Sequence, residues 1–272
     1  MSKPLFGGPE CSWPAFEPVN DTVRGGASTS SWTVDPSTNI GTFSGVLDIT
    51  ALGGAGFASQ SASFEPPLRL GSRSRTAGLL VTFIASSFGA SSTAAGSKRP
   101  YKLVLALKEE KPSRRPDGRR ESVTVYQYTI DLNDYRDDLE DDRDVSDVEK
   151  GVVADAEKQT TSVTVLARWD QFKPTYRGRP KEDADPLNPE QIYELSFMCR
   201  SNFGEQAGEF SFDVVSLAIA PASHGRSFGG FGLAWFRHLF QIVTMRLASA
   251  WAFVASIFPG RRGGGGGAVR LP

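Results

Sequence analysis

Short runs of alternating or branched apolar residues recur through the first 220 residues, separated by Gly-rich, Pro-rich and charged segments. In the run 101–108, for example, Tyr101 and three alternate leucines fall on one face and the lysines on the other. No helical pattern of comparable strength lies between the runs, which predicts about nine strands in an antiparallel β-sandwich or jelly roll. The clearest predicted strands are 42–50, 56–64, 77–86, 101–108, 122–130, 162–168, 191–200 and 209–220.

A polar loop containing two adjacent glycines, residues 19–32, precedes the first strong strand signal. Asn20 and Asp21 can fold their side chains back onto nearby backbone N–H groups, and Gly25-Gly26 permits positive φ. We therefore predict a structured turn rather than a strand, with Arg24 projecting from it. The residue types favour a structural corner between two strands over a binding site, and both interpretations stay open.

Two charged insertions interrupt the strand pattern. The first, 108–120, contains prolines and a glycine and is typical of a long hairpin loop, whereas the second, 131–160, begins with a strongly acidic stretch and is predicted to be a solvated loop. The predicted β-sandwich domain covers residues 1–221, with its core in 12–220.

The character of the chain changes after Pro221, where a flexible linker, 222–232, leads into an apolar segment, 233–258. Apolar residues fill a wide arc of a helical wheel, but Arg246 falls inside that arc. A charged residue at the centre of a membrane costs about 2.5–3.5 kcal/mol, so we rank an interfacial membrane helix first, a tail anchor second and a helix packed on the sandwich third. The Gly-rich tail, 259–272, is expected to be disordered. The predicted membrane contacts are Trp235, Phe236, Phe240, Trp251 and Phe258.

Charge and composition exclude several classes of function. Thirty basic against thirty-one acidic residues do not supply the basic excess of a nucleic-acid surface, so no nucleic-acid partner is expected. Two distant cysteines, Cys11 and Cys199, argue against a disulfide framework. His224 and His238 are the only histidines and follow the last predicted strand. We therefore predict no catalytic residues, no metal site and no cofactor in the sandwich.

The N-terminal segment, residues 1–18, lacks the apolar core of a secretory signal. It carries one lysine against two glutamates, whereas a mitochondrial presequence is rich in arginine and poor in acids. No cleavable targeting segment is predicted.

Four blocks of sequence occur in a specific order. The first joins Trp13 to the turn 20–28 (NDTVRGGAS), the second is Phe-Ser-Gly at 43–45, the third is Gly-Phe-Ala-Ser at 56–59, and the fourth joins Phe-Lys-Pro at 172–174 to Arg-Gly-Arg at 177–179 before the closing strand. In this combination, over residues 12–220, the chain resembles the NADH:ubiquinone oxidoreductase intermediate-associated protein 30 family, the complex I assembly-factor domain.

The resemblance implies a galactose-binding-like jelly roll and a non-enzymatic chaperone for mitochondrial complex I. Its implied partners are complex I subunits or assembly intermediates at the inner membrane, whose surface the segment 233–258 would contact. Two alternatives stay open: a jelly-roll module that binds a small molecule or glycan, and a membrane-associated paralogue outside mitochondria.

The loop 19–32 and the Arg-Gly-Arg segment 177–179 contain the candidate partner-binding residues. Two arginines around Gly178 are suited to bidentate contacts with carboxylates, and we hypothesise an inter-loop pair between Asp21 and Arg179. Trp32 is the one obvious platform on which a glycan could stack, whereas the other marked residues favour protein contacts. The partner-binding candidates are Asn20, Asp21, Arg24, Trp32, Arg177 and Arg179. The predicted structural turn positions are Gly25, Gly26, Ser28, Gly56, Phe57 and Gly178.

Overall fold

A computed structural model describes residues 2–85, 100–111, 113, 116, 121–135 and 162–222. This part of the chain contains thirteen β-strands and three short 3₁₀-helices, which lie at Asp21–Arg24, Leu132–Tyr135 and Trp169–Gln171. The strands are β1 (Lys3–Gly7), β2 (Glu17–Pro18), β3 (Thr29–Val34), β4 (Gly41–Leu47), β5 (Phe57–Leu68), β6 (Thr76–Ile84), β7 (Lys102–Lys108), β8 (Val125–Asp131), β9 (Ser162–Arg168), β10 (Lys173–Tyr176), β11 (Arg179–Pro180), β12 (Ile192–Arg200) and β13 (Gly208–Pro221).

The strands form two antiparallel sheets. One has the order β3-β4-β13-β6-β9, with β1 also paired to β13, and the other has the order β11-β10-β8-β7-β12-β5-β2. The long strand β13 pairs with β4 through its first half and with β1 through its second half, while β6 lies along its other edge. Because side chains alternate between the two faces of a strand, each sheet contributes one face to a common core.

Apolar side chains from both sheets fill that core. Phe43 of β4 and Phe197 of β12 meet across the two sheets with ring centroids 6.4 Å apart. Phe212 of β13 packs beside Phe43, and all three rings are buried. The sandwich is therefore stabilised by burial of alternating residues, the pattern from which the strands were predicted.

The all-β antiparallel prediction is confirmed, and the eight clearest predicted strands correspond to β4–β9, β12 and β13. The prediction of a turn throughout 19–32 is wrong at its end, because β3 begins at Thr29 and pairs with β4 over its whole length. The Ser- and Thr-rich sequence of β3 gives a weak strand signal, and its position at the edge of the sheet leaves most of its residues exposed.

The start of the predicted solvated insertion 131–160 is also more structured than expected. Leu132 is buried in the core, and its backbone N–H donates to the Tyr101 carbonyl oxygen at 3.0 Å. Residues 136–161 lie outside the described residues, as does most of the insertion 108–120.

The predicted C-terminal segments lie outside the described residues from position 223 onward. The linker beyond 222, the helix 233–258 with its five predicted membrane contacts, and the tail 259–272 therefore stay predictions. Within the described ranges, no helix has the length and apolar character needed to cross a bilayer.

Candidate functional site

The loop after β2 is fixed by two side chains that bind backbone groups of distant strands. The Asn20 Oδ1 atom accepts hydrogen bonds from the Ser59 backbone N–H at 3.0 Å and from the Ser30 hydroxyl at 2.8 Å. Asp21 is fully buried, with 0 % exposure. Its Oδ1 accepts from the Ser28 N–H at 3.1 Å, while its Oδ2 accepts from the Ser28 hydroxyl at 2.8 Å and the Phe57 N–H at 3.0 Å. Both side chains thus join the loop to β5.

Glycines allow the chain to pass close to this carboxylate. A Cβ on Gly26 would lie 2.2 Å from Asp21 Cγ, and a Cβ on Gly56 would lie 2.3 Å from the Asp48 carbonyl oxygen. Gly25 ends the 3₁₀-helix at φ 83°, in the left-handed region, and its N–H returns to the helix carbonyls. The loop is therefore a rigid scaffold, and Asp21, predicted as a partner-binding residue, is enclosed within it.

Arg24 and Trp32, the other two candidates of this region, differ in accessibility. Arg24 is exposed, and its guanidinium lies over the Phe57 ring at 6.0 Å. The Trp32 ring packs against Phe16 at 4.2 Å and stacks on Phe197 at 5.4 Å. Because Trp32 is engaged by aromatic rings at the edge of the core, it is not the exposed platform that a stacked glycan needs.

The Arg177–Arg179 motif forms the exposed turn of the hairpin between β10 and β11. Arg177 and Gly178 have φ values of 51° and 78°, the pair of left-handed conformations that a tight hairpin turn uses. The Arg177 guanidinium lies 5.3 Å from the Tyr176 ring, and its Nε donates to the Ser122 hydroxyl at 3.3 Å. Both arginines are accessible to a partner.

The hypothesised pair between Asp21 and Arg179 is wrong. Asp21 is bound to β5, and five inter-strand spacings separate β5 from β11 in the same sheet. At about 4.8 Å per spacing the two groups are roughly 24 Å apart, far beyond hydrogen-bond reach. The two marked loops therefore lie at different edges of the molecule, and the Asp21 carboxylate is satisfied locally.

A turn that the sequence reasoning missed lies beside the Asp21 loop. Asn202, Phe203 and Gly204 have φ values of 46°, 59° and 85°, and the Phe203 side chain is 94 % exposed. The backbone N–H of Ser201 donates to the Gly56 carbonyl oxygen at 2.9 Å, which fixes the turn next to the loop that holds Asp21. The Asn-Phe-Gly sequence between two strands is a recognisable turn signal, but nothing in it predicts how exposed the aromatic ring is.

Gln206 holds this turn rigidly. Its side chain is fully buried, and its Oε1 accepts from the N–H groups of Tyr101 and Lys102 at 3.0 and 2.9 Å. Its Nε2 donates to the carbonyl oxygens of Lys102 at 3.0 Å and Arg200 at 2.7 Å. The amide therefore satisfies four backbone groups, and Phe203 projects from a preorganised support.

Charged groups flank the turn. Glu205 accepts hydrogen bonds from Lys102 Nζ and, at 2.6 Å, from the Tyr101 hydroxyl. These donors, Lys102 first, lower the pKa of the Glu205 carboxyl, and the same contact raises the pKa of Lys102. We call the surface formed by Arg24, Phe57, Tyr101, Phe203 and Glu205 the loop end.

One family model, that of complex I intermediate-associated protein 30 (CIA30), matches residues 5–214. The match includes the loop end and all of the described strands except the first two residues of β1 and the last seven of β13. The chain belongs to the CIA30 family. Its match runs from β1 into β13, so both sheets are part of the family domain. Membership confirms the resemblance inferred from the four sequence blocks. The CIA30 family is associated with complex I assembly, and with assembly factors rather than enzymes.

Two further similarities accompany the CIA30 match. An uncharacterized protein of Schizosaccharomyces pombe is 30% identical over 224 residues, which cover 80% of this chain and 83% of that protein. Among solved structures, the family 11 carbohydrate-binding module of the cellulosomal cellulase Lic26A-Cel5E of Clostridium thermocellum superposes with a TM-score of 0.44 at 11% identity, covering 82% of this chain and 95% of that one.

Proposed function

We propose that the chain is a non-enzymatic assembly factor whose loop end binds protein clients, namely complex I subunits or assembly intermediates. The observation that carries the proposal is the Phe203 ring, which is 94 % exposed on a turn that Gln206 holds in place. CIA30 family membership supports the identity of the clients.

The energetics of Phe203 favour a contact residue. A bulky L-residue in the left-handed region costs about 1–2 kcal/mol relative to the right-handed one. Nothing within the fold offsets that cost through burial of the ring, because the side chain is almost wholly exposed. Burial of a Phe side chain by a client contributes about 1.5–3 kcal/mol, and a preorganised turn loses little entropy on binding. Such aromatic anchors carry a large share of the energy in protein interfaces.

Arg24 supplies polar recognition beside this anchor. Its guanidinium is exposed and oriented over Phe57, so its donors are available to carboxylate groups of a client.

The proposal also includes the type of fold, the activity and the location of the protein. We propose a galactose-binding-like jelly roll with chaperone activity, located at the mitochondrial inner membrane with the segment 233–258 in contact with the bilayer. Fractionation of mitochondria from cells that express the tagged chain, with and without residues 233–258, tests both the location at the inner membrane and the contact of this segment with the bilayer.

Copurification provides the decisive experiment. The tagged full chain is expressed in cells that contain complex I, and recovered subunits are quantified by mass spectrometry for the wild type and for Phe203→Asn. Asparagine tolerates the left-handed conformation, so this variant removes the ring and retains the turn. We expect recovery to fall about tenfold to a hundredfold, the equivalent of the burial energy above.

Tyr176→Asn is the matched control, since it removes an exposed aromatic ring from the far edge of the seven-stranded sheet. Its recovery of complex I subunits should equal that of the wild type. Equal recovery by Phe203→Asn would exclude the loop end as the contact surface. Absence of complex I subunits from the wild-type preparation would overturn the function itself.

A further inference from the structure

The loop 69–75, which joins β5 to β6, is rich in arginine. Arg69, Arg73 and Arg75 all lie in it, and all three are exposed. The loop contains no acidic residue. It is therefore a local concentration of positive charge in a chain whose formal net charge is only -1.

Uncharged neighbours hold this loop in a fixed conformation. Leu70 is buried, and its backbone N–H donates to the Pro189 carbonyl oxygen at 2.8 Å. The Thr76 hydroxyl donates to the Ser72 carbonyl oxygen at 3.0 Å and accepts from Trp169 Nε1, also at 3.0 Å. The arginine side chains therefore project from an ordered backbone, and a partner does not have to order the loop when it binds.

The chain leaves the two sheets beside this loop. β13 ends at Pro221, and the backbone N–H of the next residue, Ala222, donates to the Arg75 carbonyl oxygen at 2.9 Å. Lys3 of β1 pairs with Ile219 near the end of β13 and is exposed. We call the surface formed by Lys3, Arg69, Arg73 and Arg75 the exit patch.

The positive charge of the exit patch is largely unbalanced. At the neighbouring end of β9, Arg168 pairs with Asp170 at 3.2 Å, whereas no ion pair within the described ranges includes a residue of the exit patch. Arg73 is the best compensated of the four, because its Nη1 donates to the Leu187 carbonyl oxygen at 3.4 Å. Burial raises the pKa of the Glu109 carboxyl, and the nearby charge of Arg73 opposes that shift. The exit patch therefore offers unpaired cations to an anionic partner.

We propose that the exit patch binds the anionic phosphate headgroups of a phospholipid bilayer. The proposal rests on the bilayer contact of the segment 233–258 proposed above, and it identifies the class of lipid and the face of the domain that meets it. The linker 222–232 begins at the patch and spans at most about 40 Å when fully extended. Along β5, the loop end lies about 36 Å from the patch. A bilayer-bound segment therefore brings the exit patch to the membrane more readily than the loop end.

The chemistry of the exit patch suits this partner. Guanidinium groups bind phosphate oxygens through two parallel hydrogen bonds. Basic clusters of about four or more residues beside a membrane-bound segment are typical of contacts with anionic lipids. A bilayer bound at this end of the strands leaves the opposite end, with Phe203, accessible to protein clients.

Co-sedimentation of the full chain with vesicles tests the proposal. One set of vesicles is pure phosphatidylcholine, and the other contains about one fifth phosphatidylglycerol, which supplies anionic headgroups. An arginine at an anionic surface strengthens binding about fivefold, so the triple variant Arg69→Gln, Arg73→Gln, Arg75→Gln should bind the anionic vesicles about 20- to 100-fold more weakly. Its binding to phosphatidylcholine should equal that of the wild type. Salt raised from about 0.1 to 1 M should remove the preference of the wild type for anionic vesicles, because the Debye length shortens from about 10 to 3 Å.

Matched variants separate local from general effects of charge. Replacement of the same three arginines by lysine retains the charge and should keep binding to anionic vesicles within about threefold of the wild type. Arg75→Gln should weaken this binding about fivefold, whereas Arg24→Gln, which removes an exposed arginine from the loop end, should not. Urea unfolding of each variant establishes that the fold is retained. Inorganic phosphate at constant ionic strength should not displace the chain from the vesicles, and displacement would assign the patch to a soluble phosphate instead of a bilayer.

Equal binding of the wild type and the triple glutamine variant to anionic vesicles would overturn the proposal, as would equal losses for Arg75→Gln and Arg24→Gln. The proposed function fails in a different way. Binding of the wild type to anionic but not to phosphatidylcholine vesicles would support the exit patch and count against the bilayer contact of the segment 233–258. The triple glutamine variant should recover complex I subunits as the wild type does. A loss of recovery with unchanged vesicle binding would assign these arginines to clients rather than to lipid.

Discussion

Replacement of Asp21 by alanine tests whether one buried carboxylate organises the loop end. The substitution removes the acceptor of three hydrogen bonds, two from the backbone N–H groups of Ser28 and Phe57 and one from the Ser28 hydroxyl. The hydroxyl retains the Asp48 carbonyl oxygen as a partner at 3.2 Å, whereas the two N–H groups lose their acceptor. The damage is therefore concentrated on backbone donors that solvent does not reach easily.

The magnitude of the effect follows from the bonds lost. A hydrogen bond to a charged group contributes about 1.5–3 kcal/mol, and an unsatisfied buried donor costs about 1–3 kcal/mol. The three bonds share one acceptor and are not additive, so we expect the free energy of unfolding to fall by about 3–5 kcal/mol. For a domain of this size that change lowers the Tm by roughly 6–20 °C.

Urea unfolding followed by tryptophan fluorescence measures this change, because Trp13, Trp32 and Trp169 pack against the core. Asp21→Asn should give an intermediate loss, since the amide retains one acceptor oxygen and presents N–H groups in place of the other. Asp35→Asn makes the same chemical change in an exposed turn and should alter stability by less than about 0.5 kcal/mol. A loss below about 1 kcal/mol for Asp21→Ala would refute the reasoning, because it would mean that the loop satisfies its backbone without the carboxylate.

Three further outcomes are expected. Gly26→Ala should destabilise the fold more than Gly25→Ala, because its added Cβ would lie 2.2 Å from the buried Asp21 carboxylate. A Cβ on Gly25 meets no neighbouring atom and costs only the strain of its left-handed φ of 83°, about 1–2 kcal/mol, and urea unfolding compares the two variants directly. Burial, followed by nearby carboxylates, raises the pKa of Tyr126 to about 12. Because the tyrosine of the unfolded chain ionises first, the free energy of unfolding should fall as the pH rises from about 10 towards 12. Tyr126→Phe should lose less stability over this range, and an equal loss would contradict the assignment of the pH dependence to Tyr126. Burial also raises the pKa of the Cys199 thiol, so a maleimide reagent should modify Cys11 alone in the native protein and both cysteines in urea.

The main strands could be predicted from sequence because alternation and burial coincide in them. In β12, strand alternation predicts Tyr193, Leu195, Phe197 and Cys199 on one inward face. The last three are in the core and Tyr193 is half-buried. The short strands β1, β2, β10 and β11 have two to five residues and contain prolines, so they carry no usable period. They pair because their neighbours present free edges, which is information that local sequence does not contain.

In the candidate site, too, local sequence predicts some features, whereas others depend on residues distant in the chain. The turn chemistry of Asn20 and Asp21 could be predicted, but their partners Ser59 and Phe57 come from a strand nearly forty residues later. Asp21 is buried, so it does not lie on the surface where a partner-binding residue is predicted.

The position of β13 determines when the domain can finish folding during its synthesis. This strand lies between β4 and β6 in the six-stranded sheet, and β1 pairs with its second half. During synthesis, the strands made first must keep their inner edges unpaired until residues 208–221 have left the ribosome. At about 5–20 residues per second, the interval between β4 and β13 lasts roughly 8 to 35 s. A protein whose proposed task is to protect unfinished assemblies would itself pass through a stage with open strand edges, and its nascent chain is then a substrate for the chaperones that bind such edges.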